Sequence, residues 1–191
     1  MNQDYQSIAL DEDPMPETIK WNDVAAEIHG INVSKGFWPE EKTTRNVGEM
    51  LMLVVSEFAE ALDAEASGLN DDKLVQYPGV WVEIADAAIR LADGAEAFGA
   101  DLSDEALAAE AGMNMNLGDY TSLEEDFMLI IRYLSTTMEL HRKRNLDWIG
   151  LLTHCFGLTI QLFRKYSIPF ECIFEKMEYN SKRPFKHGKA Y

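Results

Sequence analysis

Two pairs of carboxylates, Glu57 with Glu60 and Glu83 with Asp86, are the residues of this sequence best equipped for chemistry. A spacing of three puts both members of a pair on one face of a helix, a turn apart. Glu57 falls among Met50, Leu53, Val54, Ala61 and Ala64, on an apolar stripe rather than opposite it. A carboxylate on a core-facing stripe is costly unless it is paired or holds a metal. Two of them a turn apart also repel, and a shared hard cation relieves the repulsion. The second pair is less distinctive alone. Glu83 and Asp86 lie opposite a core stripe of Trp81, Ile84, Ala85, Ala88, Leu91 and Ala92, and with Arg90 and Asp93 nearby an ordinary solvated face accounts for them. Taken jointly, two antiparallel helices of this kind can direct all of these carboxylates into one groove. Oxygen donors with no nearby His or Cys suit Mg²⁺ or Mn²⁺ rather than zinc. Metal-assisted attack of water on a phosphate is the reaction such a site does best.

Charge narrows the classes of partner. The formal net charge is −16, which opposes generic binding to nucleic-acid backbones. Against that acidic background the stretch from Lys182 to Lys189 is basic. It reads either as a solvated tail or as a phosphate clamp, the latter if the acidic part holds cations that a phosphate would share. The longest apolar run, Met50 to Val55, is too short to span a bilayer, and no secretory pattern opens the chain. Cys155 and Cys172 form no ligand-spaced pair, which fits reduced thiols and a cytoplasmic setting.

These candidate groups need helices to position them. Residues 1–15, with Asp11-Glu12-Asp13-Pro14, read as a loose leader. Trp21, Val24, Ala25 and Ile28 recur at helical spacing and predict a first helix after Pro16. Gly36-Phe37-Trp38-Pro39 breaks the pattern. Further helices are predicted from Arg45 to Glu65, stopped at Ser67-Gly68, from Val80 to Phe98, and from Ser103 as N-cap to Gly112. The chain then echoes itself: 126–131 parallels 49–54, and Trp148 opens a helix much as Trp81 does. A duplication and a chance likeness of two amphipathic hairpins both produce such an echo. No strand-like alternation of useful length occurs, so the expected fold is an all-α helical bundle.

Glu57-Phe58-Ala59-Glu60 followed by Glu83-Ile84-Ala85-Asp86 resembles the ExxE…ExxD signature of the MazG-like pyrophosphohydrolases. These belong to the all-α NTP pyrophosphatase superfamily, which also includes dimeric dUTPases. The segment from Glu175 to Lys189 is similar to the KMxYNxxRPxxHGK ending of many MazG-like chains, and His29 with Gly36-Phe37-Trp38 resembles the segment before the first metal helix. The matches cover residues from about 25 to 102 and from about 170 to 190. The resemblance implies that Glu57, Glu60, Glu83 and Asp86 bind Mg²⁺, with a glutamate of the first pair, Glu57 or Glu60, orienting or deprotonating the attacking water. It further implies that Lys176, Tyr179, Asn180 and Arg183 approach the triphosphate or sugar. Lys176 and Asn180, four apart, share a helical face, and Arg183 offers a planar fork for phosphate oxygens. Trp38 or Phe37 offers a stacking surface for a base, and equally a core aromatic.

One departure is large. Single-unit members pass almost directly from the ExxD helix to the KMxYN segment, whereas residues 103 to 168 intervene here. Aligned with the first unit, the intervening one places Leu134 and Thr137 opposite Glu57 and Glu60, and Leu151 and His154 near Glu83 and Asp86. The chain therefore divides into the leader, a metal-binding unit (16–102), a degenerate second helical unit (103–169) and a C-terminal helix with a basic tail (170–191). The expected product is a pseudo-dimeric monomer, or a homodimer, that hydrolyses a nucleoside triphosphate, foremost a deoxynucleotide, to monophosphate and pyrophosphate. Neither nucleic acid nor membrane is an expected partner. The competing readings are an acidic helical regulatory or interaction protein that kept the fold without catalysis, and a di-iron carboxylate bundle. The latter uses ExxH, which neither Glu57 nor Glu83 begins.

Overall fold

A computed structural model describes residues 19–41, 44–111, 117 and 122–188 of the chain. The leader read over 1–15 lies outside them, as does Lys189. Helices α1 (Trp21–Ser34), α2 (Val47–Ser67), α3 (Gly79–Phe98), α4 (Asp104–Ala111), α5 (Leu123–Arg142), α6 (Trp148–Lys165) and α7 (Glu171–Lys182) account for the regular structure of the described residues, with a 3₁₀ turn at Phe185–Gly188. An isolated antiparallel bridge joins Asn70 to Pro78, and there is no strand among the described residues. The fold is all-α. No helix among them is long and apolar enough to cross a membrane.

The helix ends follow local chemistry. Asn46 caps α2, its side chain accepting from the Glu49 N–H at 3.2 Å, and Ser122 caps α5 through Glu125 at 3.3 Å. Each such cap contributes about 1 kcal/mol. Gly68 and Gly99 end α2 and α3 in the left-handed conformation, with φ of 63° and 75°. Ser103 caps α4 as its sequence position predicts, its hydroxyl accepting from Ala106 N–H. The first helix begins later than expected, at Trp21, because Lys20 is extended.

Helix α3 is the axis of the molecule, packing against α1, α2, α6 and α7. Its small residues make this possible: Ala85, Ala87, Ala88, Ala92, Gly94 and Ala95 are all buried. A Cβ at Gly94 would lie 2.8 Å from Met50 Sδ, so the Met50 side chain packs directly over the Gly94 backbone where α2 meets α3. Aromatic contacts fasten the remaining layers. Phe58 of α2 meets Phe127 of α5 at 4.7 Å, and Trp21 of α1 meets Phe156 of α6 at 5.3 Å. Both cysteines, Cys155 and Cys172, are buried.

The environment of α3 differs from its sequence pattern. Val82 and Ile89 are buried outside the expected stripe, Trp81 is only half-buried, and Glu83 and Asp86 are half-buried rather than on a solvated face. The reason is tertiary: α7 packs on the side of α3 that the periodicity leaves to water.

Candidate functional site

Helices α2 and α3 bring carboxylates together where they face each other. Oxygens of Glu57, Glu60 and Glu83 all lie within 4.8 Å of one another. Glu57 is 4% exposed, Glu83 is half-buried and Glu60 stands at the open rim. Asp86 lies one turn along α3 from Glu83 and lines the same cleft, a cavity of about 680 Å³.

Two cations already sit in this acidic floor. The Arg90 Nε donates to Glu57 Oε1 at 2.5 Å, and the Lys176 Nζ lies 2.9 Å from Asp86 Oδ2. Glu60 and Glu83 have no ion pair among the described residues. Burial therefore raises the Glu83 carboxyl to about 8, with Asp86 and Glu57 adding like-charge repulsion. Burial likewise raises Glu57, against the pull of Arg90. Burial disfavours a charged Lys176, but the attraction of Asp86 outweighs it, and its ammonium is held above its ordinary range. The cluster has more anion than its own cations neutralise.

Helix α7 forms the opposite wall. Lys176, Tyr179, Asn180 and Arg183 all line the cleft, facing the carboxylates of the same chain. Arg183 lies over the Tyr179 ring, 5.9 Å from its centroid. Glu175 holds α7 in place by accepting from the Tyr77 hydroxyl at 3.0 Å and from the Gln76 amide, both in the α2–α3 connection. The tail beyond is fastened to the end of α1. The Lys35 ammonium donates to the Arg183 carbonyl at 2.6 Å, and the Lys186 N–H donates to the Lys35 carbonyl at 2.8 Å. Phe185 lies on Gly36, whose φ of 78° and lack of a side chain leave room for the ring.

At the other end of the cleft Asp93, two turns along α3 from Asp86, gathers three side chains. It accepts from His29 Nδ1 at 2.7 Å, from Asn32 Nδ2 at 2.7 Å, and from Trp38 Nε1 through both oxygens at 2.9 and 3.0 Å. The guanidinium of Arg45 lies over the Trp38 ring at 5.7 Å.

The sequence-derived residues thus converge. Glu57, Glu60, Glu83, Asp86, Lys176, Tyr179, Asn180, Arg183 and Trp38 all line one cleft. Within it the tight oxygen cluster comprises Glu57, Glu60 and Glu83, while Asp86 is drawn to Lys176. Trp38 has its indole N–H committed to Asp93 and is 9% exposed, so it is a packed aromatic with an edge on the cleft. Arg45, Asn32 and Lys73 also line the cleft without having been singled out, and Arg90 and Asp93 had been read as surface charge. An all-oxygen donor set with two uncompensated carboxylates fits a hard divalent ion such as Mg²⁺. No family model, curated protein or solved structure matches the chain.

Proposed function

We propose that this protein hydrolyses a nucleoside triphosphate to the monophosphate and pyrophosphate with Mg²⁺. The reading rests on one observation: an undercompensated carboxylate cluster on α2 and α3 faces the basic and polar side chains of α7 across a nucleotide-sized cleft. Glu57, Glu60 and Glu83 would hold the ion, and Asp86 would join them when phosphate oxygens draw Lys176 away. The bound ion would supply charge neutralisation of the phosphates and acidification of water. Lys176 and Arg183 would bind phosphate oxygens, the latter as a planar fork. A glutamate of the first pair would orient the attacking water and take its proton. The basic tail, fastened to α1 of the same chain, would act in cis, and a single chain would carry a complete site. In this reading the 103–169 unit keeps the helical scaffold without ligands.

A non-catalytic acidic module accounts for the Glu57–Arg90 and Asp86–Lys176 pairs, which neutralise buried charge. It gives no reason for Glu60 and Glu83, which lack such partners among the described residues. Product analysis separates the two. Each common NTP and dNTP is incubated with Mg²⁺, with wild type and with Glu57→Gln, and the products are resolved by anion exchange. Monophosphate with pyrophosphate, lost in the variant, is expected. Orthophosphate as the first product, or no turnover together with no calorimetric nucleotide binding, would overturn the proposal.

A further inference from the structure

The Asp93 network fixes the orientation of one amide in the cleft. A carboxylate accepts hydrogen bonds, and Asp93 is held in that role by the Trp38 indole, which can only donate. The Asn32 side chain must therefore turn its NH₂ toward Asp93 Oδ2, as it does at 2.7 Å. An amide is usually ambiguous between its two orientations, but here the flipped form would set oxygen against oxygen. The consequence is an oriented acceptor. Asn32 lines the cleft, its Oδ1 has no hydrogen-bond partner among the described residues, and the atom is not sealed from solvent. Beside it lie the Trp38 ring and Arg45, whose Nε is buried without a partner. This part of the cleft is lined by aromatic and hydrogen-bonding groups, two turns of α3 from Asp86.

From this we infer that Asn32 selects the base, and that the preferred substrates carry an exocyclic amine, as in cytosine or adenine, rather than a carbonyl at the same position. The inference rests on the triphosphate reading. An amine N–H completes the Asn32 acceptor, whereas a carbonyl oxygen meets it as a second acceptor and leaves both groups desolvated and unbonded. That mismatch corresponds to a loss of about 10- to 100-fold in affinity. Asp93 acts as a positioning residue, since it holds the amide without offering a free donor.

Calorimetry with Mg²⁺ and α,β-methylene analogues tests this without turnover. Two pairs, dCTP with dUTP and dATP with dITP, differ by amine against carbonyl at the exocyclic position, and with it by acceptor against N–H at the neighbouring ring nitrogen. A reversed preference would therefore mean that Asn32 faces that nitrogen instead. The amino member of at least one pair should bind at least tenfold tighter, and which pair shows it identifies a pyrimidine or purine pocket. In Asn32→Ala the ratio should fall to within about threefold of unity, while inorganic triphosphate binds both proteins alike. Equal or reversed affinities in both wild-type pairs overturn the base assignment and leave the triphosphate site standing. A ratio unchanged in Asn32→Ala overturns the role of Asn32. Failure of every analogue and of triphosphate to bind would remove the triphosphate reading itself.

Discussion

The α2–α3 pair and the α5–α6 pair are built alike and filled differently. Helix α5 packs on α6 as α2 packs on α3, and α4 covers α6 as α1 covers α3. A duplicated unit requires this arrangement, and two independent hairpins satisfy it as well. In the first pair the facing positions carry Glu57, Glu60 and Glu83 around an open cleft. The aligned positions of the second include Leu134, Thr137 and His154, all buried. The Thr137 hydroxyl turns back to the Tyr133 carbonyl at 2.8 Å, and the His154 ring packs on Tyr133 at 4.3 Å. The second pair does bury a carboxylate, Asp126, but supplies every partner it needs. Lys165 donates to both oxygens at 2.8 and 2.7 Å, and the Tyr166 hydroxyl donates at 2.6 Å. A buried acid that the fold satisfies is structural; the acids left short of cations are the ones that the proposed metal would compensate.

That contrast is broken first by neutralising one acid of each kind. Glu57→Gln should lower turnover by about 10²- to 10³-fold, the effect of several kcal/mol of lost transition-state stabilisation. Its melting temperature without metal should stay level or rise, because burial and the like charges of Asp86 and Glu60 outweigh the pull of Arg90 on this carboxylate. Asp126→Asn should do the opposite. It leaves turnover near wild type and destabilises the fold by about 3 kcal/mol, at the low end for a broken buried pair because Lys165 can reach water. Thermal melts and initial rates on the same preparations decide it, and destabilisation by both substitutions would erase the distinction.

Next comes whether α7 completes the site within one chain. Arg183→Ala should cost about 10- to 100-fold in kcat/KM, as a charge-assisted phosphate contact is lost. Mixing Arg183→Ala with Glu57→Gln should restore no activity, since α7 closes over the carboxylates of its own chain. Recovery on mixing would show that sites are assembled between chains.

How much of this the sequence reveals depends on range. Helix ends are local, and Asn46, Gly68, Gly99 and Ser103 mark them within a residue or two. The carboxylate pairs are local too, because spacing on a helix and an acid on an apolar stripe are visible in a few turns. The face of α3 bearing Glu83 and Asp86 is not, since its burial comes from α7, 90 residues beyond Asp86 at the Lys176 contact. Arg90 passes for surface charge until Glu57 is placed beside it. Asp93 passes for the same until His29, Asn32 and Trp38 are seen to converge on it. Periodicity registers which face is apolar; it carries no record of which distant polar group completes a polar one.

The smallest expected effect sharpens the comparison at the level of a single proton. With the Glu83 carboxyl raised to about 8 in the folded chain, the unfolded chain releases its proton from about pH 4.5 upward while the folded chain retains it. Metal-free stability should therefore fall as pH rises through that window and level off above it. One proton sets a ceiling of about 1.4 kcal/mol per pH unit, and water in the cleft reduces it because Glu83 is only half-buried. Carboxylates with depressed pKa, such as Glu139 and Asp101, act with the opposite sign, but below the window. The comparison is with Glu83→Gln, because titratable groups outside the cluster contribute to both proteins alike. Urea midpoints with EDTA at pH 5.5, 6.5, 7.5 and 8.5 (values of about half-unit precision suffice) should show wild type losing stability relative to the variant at each step. Parallel curves would mean that Glu83 is ionised in the folded protein, and that the cluster on α2 and α3 is as well compensated as Asp126 on α5.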